Sequence, residues 1–153
     1  MGRVVRPAAS PRPVFAVRPG ASGDISLRKD QTGNEFIAWY REPAGAYHPT
    51  PLVLGEYLYV LYSTGSISCF EAKTGKPVYE RERLGGSFTA SPWAYGGKVF
   101  CLSEEGTTYV VRAGAEFELV GKNVLGEVAL ATPAVADGSL FLRTAAALYC
   151  VRQ

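Results

Sequence analysis

Few residues in this chain of 153 amino acids have side chains suited to catalysis or metal binding. There is one histidine, His48, and there are three cysteines, Cys69, Cys101 and Cys150, with no CxxC pair among them. A Ser–His–Asp or Cys–His site would therefore have to use His48. The cysteine spacing favours neither a zinc site nor a disulfide framework. Because each cysteine lies in an apolar run, we expect all three to be small buried residues.

Oxygen ligands for a metal ion are equally scattered. The two asparagines and three aspartates are Asn34, Asn123, Asp24, Asp30 and Asp137. None of them are grouped as a calcium-binding loop requires. The chain also lacks the GxSxG, GxxxxGK[ST] and HExxH motifs, which position a nucleophile, a phosphate and a zinc ion. We therefore expect this chain not to be an enzyme by itself, and to hold no cofactor and no metal.

Composition and charge narrow the class further. The 16 Lys and Arg exceed the 14 Asp and Glu by only two, and the two signs are mixed along the chain, which argues against nucleic-acid binding. No apolar run approaches the ~18 residues of a membrane-spanning helix. The apolar run 14–17 is also shorter than the ~7–15 residues at the centre of a signal peptide, so we expect no export signal in this chain. These features indicate a globular β protein.

An internal repeat of 41 residues organises the chain. It is marked by Ser/Thr-Pro dipeptides whose prolines are Pro51, Pro92 and Pro133, and by aromatic residues at the same interval, namely Tyr59, Phe100 and Phe141. In each unit a short strand, a Gly-containing turn and a second apolar strand follow the proline, as in a β-hairpin. A third strand follows in every unit and a fourth in the longer ones. We predict the third and fourth strands at 67–70 and 77–80, and at 108–111 and 116–120.

The strands are apolar on both faces, as in 57–62, so each sheet must be covered on both sides. Sheets of about 40–45 residues that repeat along a chain are typical of β-propeller blades. We therefore predict an all-β fold, a partial β-propeller of four-stranded antiparallel blades with about 3.7 repeats of 41 residues. A β-sandwich is the alternative, but it gives no reason for the regular interval.

The predicted blades divide the chain into segments. Residues 1–12 form an N-terminal extension that we expect to be disordered. The blades are then 13–42 (partial), 47–84, 88–122 and 129–153 (partial, without its outer strand). We expect the aromatic residues Tyr57, Tyr59, Trp93 and Tyr95 to lie in the core between blades. The charged runs 80–83 and 104–105 are expected to be solvated turns and strand ends.

The stretch 65–76, with the sequence GSISCFEAKTGK, carries a family resemblance. It resembles the DG-x-LYALDA-x-TG-K signature of pyrroloquinoline-quinone-like (PQQ-like) β-propeller repeats. Over residues 13–153 the chain looks like the non-catalytic branch of that family, which is found in large bacterial repeat proteins, and it resembles the C-terminal part of such a protein. Tyr79 stands where that family usually has a tryptophan, and Trp39 is the better counterpart in the first blade. An insertion, residues 19–34, separates the two strands of that blade.

The resemblance implies a binding or scaffold module for a protein or a small ligand, from an exported or periplasmic parent. The alternative that it leaves open is a fragment of a quinone-dependent dehydrogenase whose catalytic residues lie outside this chain. Dehydrogenases of this superfamily hold the quinone beside two adjacent cysteines and a calcium ion bound by Glu, Asn and Asp. This chain has no adjacent cysteines.

Candidate binding residues lie where an innermost strand begins, at the mouth of a propeller channel. They are Tyr47, His48 and Thr89, and Thr89 follows His48 by one repeat interval. A structural hydrogen bond near a turn is the alternative role for His48. The partners that we expect are another protein or a second copy of the chain, joined through open blade edges.

Overall fold

The computed structural model describes residues 12–152, which form thirteen strands and, within that range, no helix. Residues 1–11, which hold most of the extension expected to be disordered, lie outside the described residues. The strands are β1 (Val14–Val17), β2 (Ile37–Arg41), β3 (Leu52–Leu54), β4 (Tyr57–Tyr62), β5 (Ser66–Glu71), β6 (Pro77–Arg83), β7 (Trp93–Tyr95), β8 (Lys98–Leu102), β9 (Thr107–Arg112), β10 (Leu119–Val124), β11 (Ala134–Ala136), β12 (Ser139–Arg143) and β13 (Leu148–Arg152).

Neighbouring strands pair antiparallel in four sheets, which we call blades 1 to 4. Blade 1 is β1–β2, blade 2 is β3–β6, blade 3 is β7–β10 and blade 4 is β11–β13. The chain divides into two compact units, Met1–Gly45 with blade 1 and Ala46–Gln153 with blades 2 to 4. This architecture confirms the prediction of an all-β partial propeller built from antiparallel blades.

The first unit is a two-stranded sheet with a long connection between its strands. Ala16 lies opposite Trp39, just as Cys69 lies opposite Tyr79 in blade 2, and Trp39 is buried. The connection, which contains the insertion 19–34, has no strand. Asn34 holds it in place, because its side-chain oxygen accepts the Ile37 N–H (2.7 Å) and its amide donates to the Ile25 carbonyl (3.3 Å).

In the second unit the hairpin turns follow from the residues at their tips. Gly96 and Gly97 have φ values of +54° and +70°, and Asp137 and Gly138 have φ values of +48° and +68°. Two successive positive φ values are the signature of a type I′ turn, whose twist matches that of the flanking strands. The predicted hairpins are therefore confirmed at the same place in successive repeats.

A large hydrophobic core of the second unit lies between blades 2 and 3. It joins the face of blade 2 that carries Tyr59 and Cys69 to the face of blade 3 that carries Val99, Cys101 and Val111, all of them buried. A smaller cluster of Ala90, Leu102 and Ala129, with Trp93 and Leu142 against it, lies between blades 3 and 4. Burial of both faces of a sheet is what the apolar pattern of its strands predicted.

Two strand predictions were wrong in position. The fourth strand of blade 3 is Leu119–Val124 and not 116–120, because residues 113–118 form the turn and the Arg112 N–H donates to the Glu118 carbonyl (2.9 Å). In blade 2 the fourth strand is Pro77–Arg83 and not 77–80, so the charged run 80–83 forms the C-terminal end of β6 and is mostly exposed, as expected. There the Arg81 guanidinium lies 3.5 Å from the centre of the Tyr62 ring, a cation–π contact that keeps this charged segment against the sheet.

Two burial predictions were also wrong. Cys69 and Cys101 are buried, but Cys150 is exposed, because in blade 4 the equivalent sheet face is not covered by any described residue. Tyr95 was expected in the core between blades, yet its side chain is 67% exposed. The other three aromatic residues of that group, Tyr57, Tyr59 and Trp93, are at least partly buried against the clusters.

The turn after β8 depends on Gly106. Its φ is +78°, and a Cβ there would overlap the Glu127 carbonyl oxygen and lie 2.8 Å from the Glu127 nitrogen, in the segment that leads to blade 4. We expect Gly106→Ala to lower the free energy of unfolding by about 3 kcal/mol or more, since backbone atoms have to move as well as φ. Urea denaturation followed by circular dichroism measures the change.

Gly138→Ala is the matched control. Gly138 also has a positive φ, +68°, but nothing lies within 4 Å of the position that the alanine methyl group would take. The left-handed conformation alone costs about 1–2 kcal/mol. Equal losses for the two variants would show that the close approach to Glu127 does not matter.

Candidate functional site

Tyr47 and His48 form an exposed aromatic pair ahead of the innermost strand of blade 2. Their ring centres are 4.2 Å apart at an angle of 52°, and Tyr47 is 63% exposed. The next residue, Pro49, is buried, so the chain is fixed directly after the pair. The pair therefore presents two ring edges and an imidazole that can accept or donate a hydrogen bond.

Thr89, the third candidate residue, is held by a hydrogen bond to Glu104. Its side chain is partly buried and its hydroxyl donates to Glu104 Oε1 at 2.6 Å. Glu104 is itself fixed, because its N–H donates to the Ser87 carbonyl (2.8 Å) and its carbonyl accepts the Ala129 N–H (3.0 Å). Sequence reasoning placed Glu104 in a solvated turn; it is instead a bridge between the turn after β8 and the segments on either side of blade 3.

A ladder of hydroxyl groups links the starts of the innermost strands. The Thr50 N–H donates to Ser91 Oγ and the Ser91 N–H donates to Thr132 Oγ1, each at 2.9 Å and each across 41 residues. These are the Ser/Thr residues of the Ser/Thr-Pro dipeptides. Sequence reasoning used them only to mark the repeat, although their regular spacing was the signal for a contact between successive blades.

A second ladder, made by the backbone, runs beside the first. The Phe88 N–H donates to the Ser63 carbonyl (3.2 Å), and one repeat later the Ala129 N–H donates to the Glu104 carbonyl (3.0 Å). Each segment between blades is thus bonded to the turn of the blade before it. The two ladders fix the loops at this end of blades 2 to 4 to one another.

The buried thiols are poor nucleophiles. Burial raises the pKa of Cys69 to about 11, although the Tyr59 and Tyr79 hydroxyls act in the opposite direction, and burial also raises the pKa of Cys101. Burial likewise raises the pKa of Tyr59 to about 12, and the Tyr59 oxygen accepts the Gly114 N–H at 2.9 Å. Since the thiolate is the reactive form of cysteine, these groups serve as neutral core residues near pH 7.

The described residues do not fit a quinone with its calcium ion. Within residues 12–152 there is no group of three or more His, Cys, Asp and Glu side chains that could hold a metal ion. Cys69 and Cys101 belong to different blades and are buried in the core between them.

Residues 12–152 contain no helix long and apolar enough to cross a membrane.

In blade 4 a carboxylate fixes the loop between β12 and β13. Glu127 accepts hydrogen bonds from Thr144 Oγ1 (2.6 Å) and the Tyr149 hydroxyl (2.5 Å). The Thr144 bond, followed by the Tyr149 bond, lowers the pKa of Glu127, and the same carboxylate raises the pKa of Tyr149. Thr144 also accepts the Ala147 N–H (2.9 Å), so one threonine joins the loop to the carboxylate.

The antiparallel sheets repeat every 41 residues, and hydrogen bonds join the beginnings of their innermost strands. This arrangement defines the chain as part of a β-propeller. Among solved structures it is similar to BamB from Moraxella catarrhalis, with a TM-score of 0.61 and 20% sequence identity, over 76% of this chain and 36% of that one. The chain thus spans about a third of the length of that protein. No family model and no curated protein sequence matches it. The likeness therefore supports the propeller fold.

Removing one hydrogen bond, that from the Thr50 N–H to Ser91 Oγ, tests the role of the hydroxyl ladder. We expect Ser91→Ala to lower the free energy of unfolding by about 0.5–1.5 kcal/mol, because the Thr50 N–H loses its acceptor. Hydrogen exchange of the Thr50 amide should become faster. Ser91→Thr is the control, since threonine fills this position in the next repeat, and it should keep the protection; equally fast exchange in Ser91→Ala and wild type would contradict the role of the ladder.

The Glu127 cluster predicts a pH dependence of stability. Because the pKa of Glu127 is lowered in the folded state, its contribution is present above the ordinary glutamate pKa of 4.5 and is lost as the pH falls below it. We expect Glu127→Gln to be less stable than wild type near about pH 6 and the gap to close near about pH 3. Urea midpoints measured across this range give the comparison. Thr144→Val should also reduce the stability that is lost in acid, because it removes one of the hydrogen bonds to Glu127. A gap that is constant with pH would exclude this effect.

Proposed function

We propose that this chain is a non-catalytic segment of a PQQ-like β-propeller that acts as a binding or scaffold module for a protein or a small ligand. The observation that carries the proposal is the exposed Tyr47–His48 pair, which precedes strand starts that the hydroxyl ladder holds rigidly. Aromatic side chains with one polar group are enriched in protein interfaces, and rigid supports reduce the entropy cost of binding. The blade limits 13–42, 47–84, 88–122 and 129–153 belong to the same proposal.

Thr89 contributes to the proposed site as a positioning residue. Its bond to Glu104 fixes the strand start of blade 3, one repeat after His48. The neutral buried thiols and the scattered acidic residues support a module without redox chemistry. The alternative is a fragment of a quinone-dependent dehydrogenase whose catalytic residues lie outside this chain.

Two measurements test this proposal. A photo-crosslinking amino acid placed at Tyr47, in cells that naturally produce the chain, should give discrete adducts, whereas the same amino acid at Val124, which is 75% exposed on blade 3, should not. Pyrroloquinoline quinone and calcium added to the purified chain should give no reduced-quinone absorbance with alcohols or sugars. Reduction that depends on the substrate would favour the dehydrogenase alternative, and equal crosslinking at both positions would remove Tyr47 from the site.

A further inference from the structure

The outer edge of blade 4 differs from the corresponding edges of blades 2 and 3. The third strands β5 and β9 pair on that side with β6 and β10, but β13 has no strand on its outer edge among residues 12–152. An unpaired edge offers a row of backbone N–H and C=O groups to an incoming strand. It is therefore a place where an extended segment can add to the sheet.

An apolar groove runs beside this edge, between blades 3 and 4. Its cavity of about 270 Å³ is lined chiefly by Trp93, Tyr95 and Phe100 of blade 3 and by Leu140 and Val151 of blade 4. The Trp93 and Phe100 rings are stacked, with centres 5.5 Å apart. Tyr95 is 67% and Val151 51% exposed, so the groove is open to a ligand along the β13 edge.

The corresponding space between blades 2 and 3 is filled by side chains of blade 3. Between blades 2 and 3, Phe117 and Leu119 pack on the core beside Leu52 and Leu54. Leu52 and Leu54 stand 41 residues before Trp93 and Tyr95. Leu119 lies opposite Val111, and the Phe117 ring is 5.7 Å from the ring of Tyr79. An aromatic and an aliphatic residue two positions apart therefore fill this space.

The strand registers also show which residue of blade 4 corresponds to Arg112 of blade 3. Val99 and Lys98 lie opposite Val111 and Arg112, and one repeat later Leu140 and Ser139 lie opposite Val151 and Arg152. Arg152 is therefore the counterpart of Arg112. The Arg112 guanidinium binds Glu118, the residue between Phe117 and Leu119. Arg152 donates Nε to Ser139 Oγ (2.7 Å) and lines the open groove.

We propose that the β13 edge and this groove bind an extended segment of a partner protein that runs antiparallel to β13 and carries an aromatic, an acidic and an aliphatic residue in succession. The carboxylate binds Arg152, the aliphatic side chain lies opposite Val151, and the aromatic ring enters the groove beside Trp93 and Tyr95. Antiparallel pairing supplies the backbone hydrogen bonds. The segment 117–119 of a second copy does not suit this role, because it is already held in blade 3.

This inference deepens the proposed binding function, and it uses a surface of its own. The probe is a fluorescent peptide with the sequence of residues 115–124, AEFELVGKNV, titrated into the 153-residue chain and followed by anisotropy. We expect saturable binding. Arg152→Glu should weaken it about tenfold, and a peptide in which lysine replaces the glutamate before leucine should recover about that factor with this variant. Peptide with serine in place of the phenylalanine and leucine should bind neither protein.

Arg143→Glu is the matched control, because Arg143 is an exposed arginine of the same blade outside the groove. It should leave the affinity within about twofold of wild type. The thermal midpoint of Arg143→Glu should match wild type, and that of Arg152→Glu should fall by no more than about 4 °C through loss of the bond to Ser139.

Three results would overturn the proposal. One is no binding at millimolar peptide, and another is binding that Arg152→Glu leaves unchanged. The third is binding that appears only after residues 1–11 are deleted or after a dimer dissociates on dilution in light scattering, since the chain itself would then occupy the edge. Absence of adducts at Tyr47 together with normal peptide binding would count against the Tyr47 site alone, so the two proposals can fail separately.

Discussion

Blades 2 and 3 each carry apolar side chains on both faces of the sheet, and a sheet of that kind is stable only when other sheets cover it. Tyr59 and Cys69 on one blade and Val99, Cys101 and Val111 on the next are buried together for this reason. Hydrophobic packing of this kind fixes the distance between blades but not their rotation. The hydrogen bonds at the strand starts supply the missing directional constraint, and together the two interactions hold the loops in a defined arrangement.

Much of this fold could be predicted from the sequence because its signals were local and repeated. Gly96–Gly97 and Asp137–Gly138 are residue pairs that adopt the positive φ values of a two-residue hairpin turn at low cost, so the turns were predictable from residue type. The start of β10 was not, because it depends on the bond from Arg112 to Glu118 and on the packing of Phe117, which no local pattern shows. The exposure of Cys150 and Tyr95 depends on what covers a blade, and this is a property of neighbours and not of the strand itself.

The candidate site was less predictable for a related reason. His48 could be selected because it is the one histidine of the chain, and Tyr47 because it stands directly before it, but Thr89 was selected by spacing alone, and the carboxylate of Glu104 that fixes it was not foreseen. Charged residues in turns are usually solvated, so sequence reasoning gave Glu104 and Glu127 no part. Each of these carboxylates accepts a hydrogen bond from a threonine hydroxyl at 2.6 Å, and nothing in the local sequence marks those threonines as partners.

The hydroxyl ladder has a direction. At each step a backbone donor of the earlier blade meets an acceptor side chain of the later one, and the order is never reversed. The contact between blades is therefore heterologous, with unlike surfaces on its two sides. Two identical surfaces related by a two-fold axis cannot reproduce it, because donor would meet donor. Further blades can extend this stack only head to tail, and such a series must close into a ring or continue as an open filament.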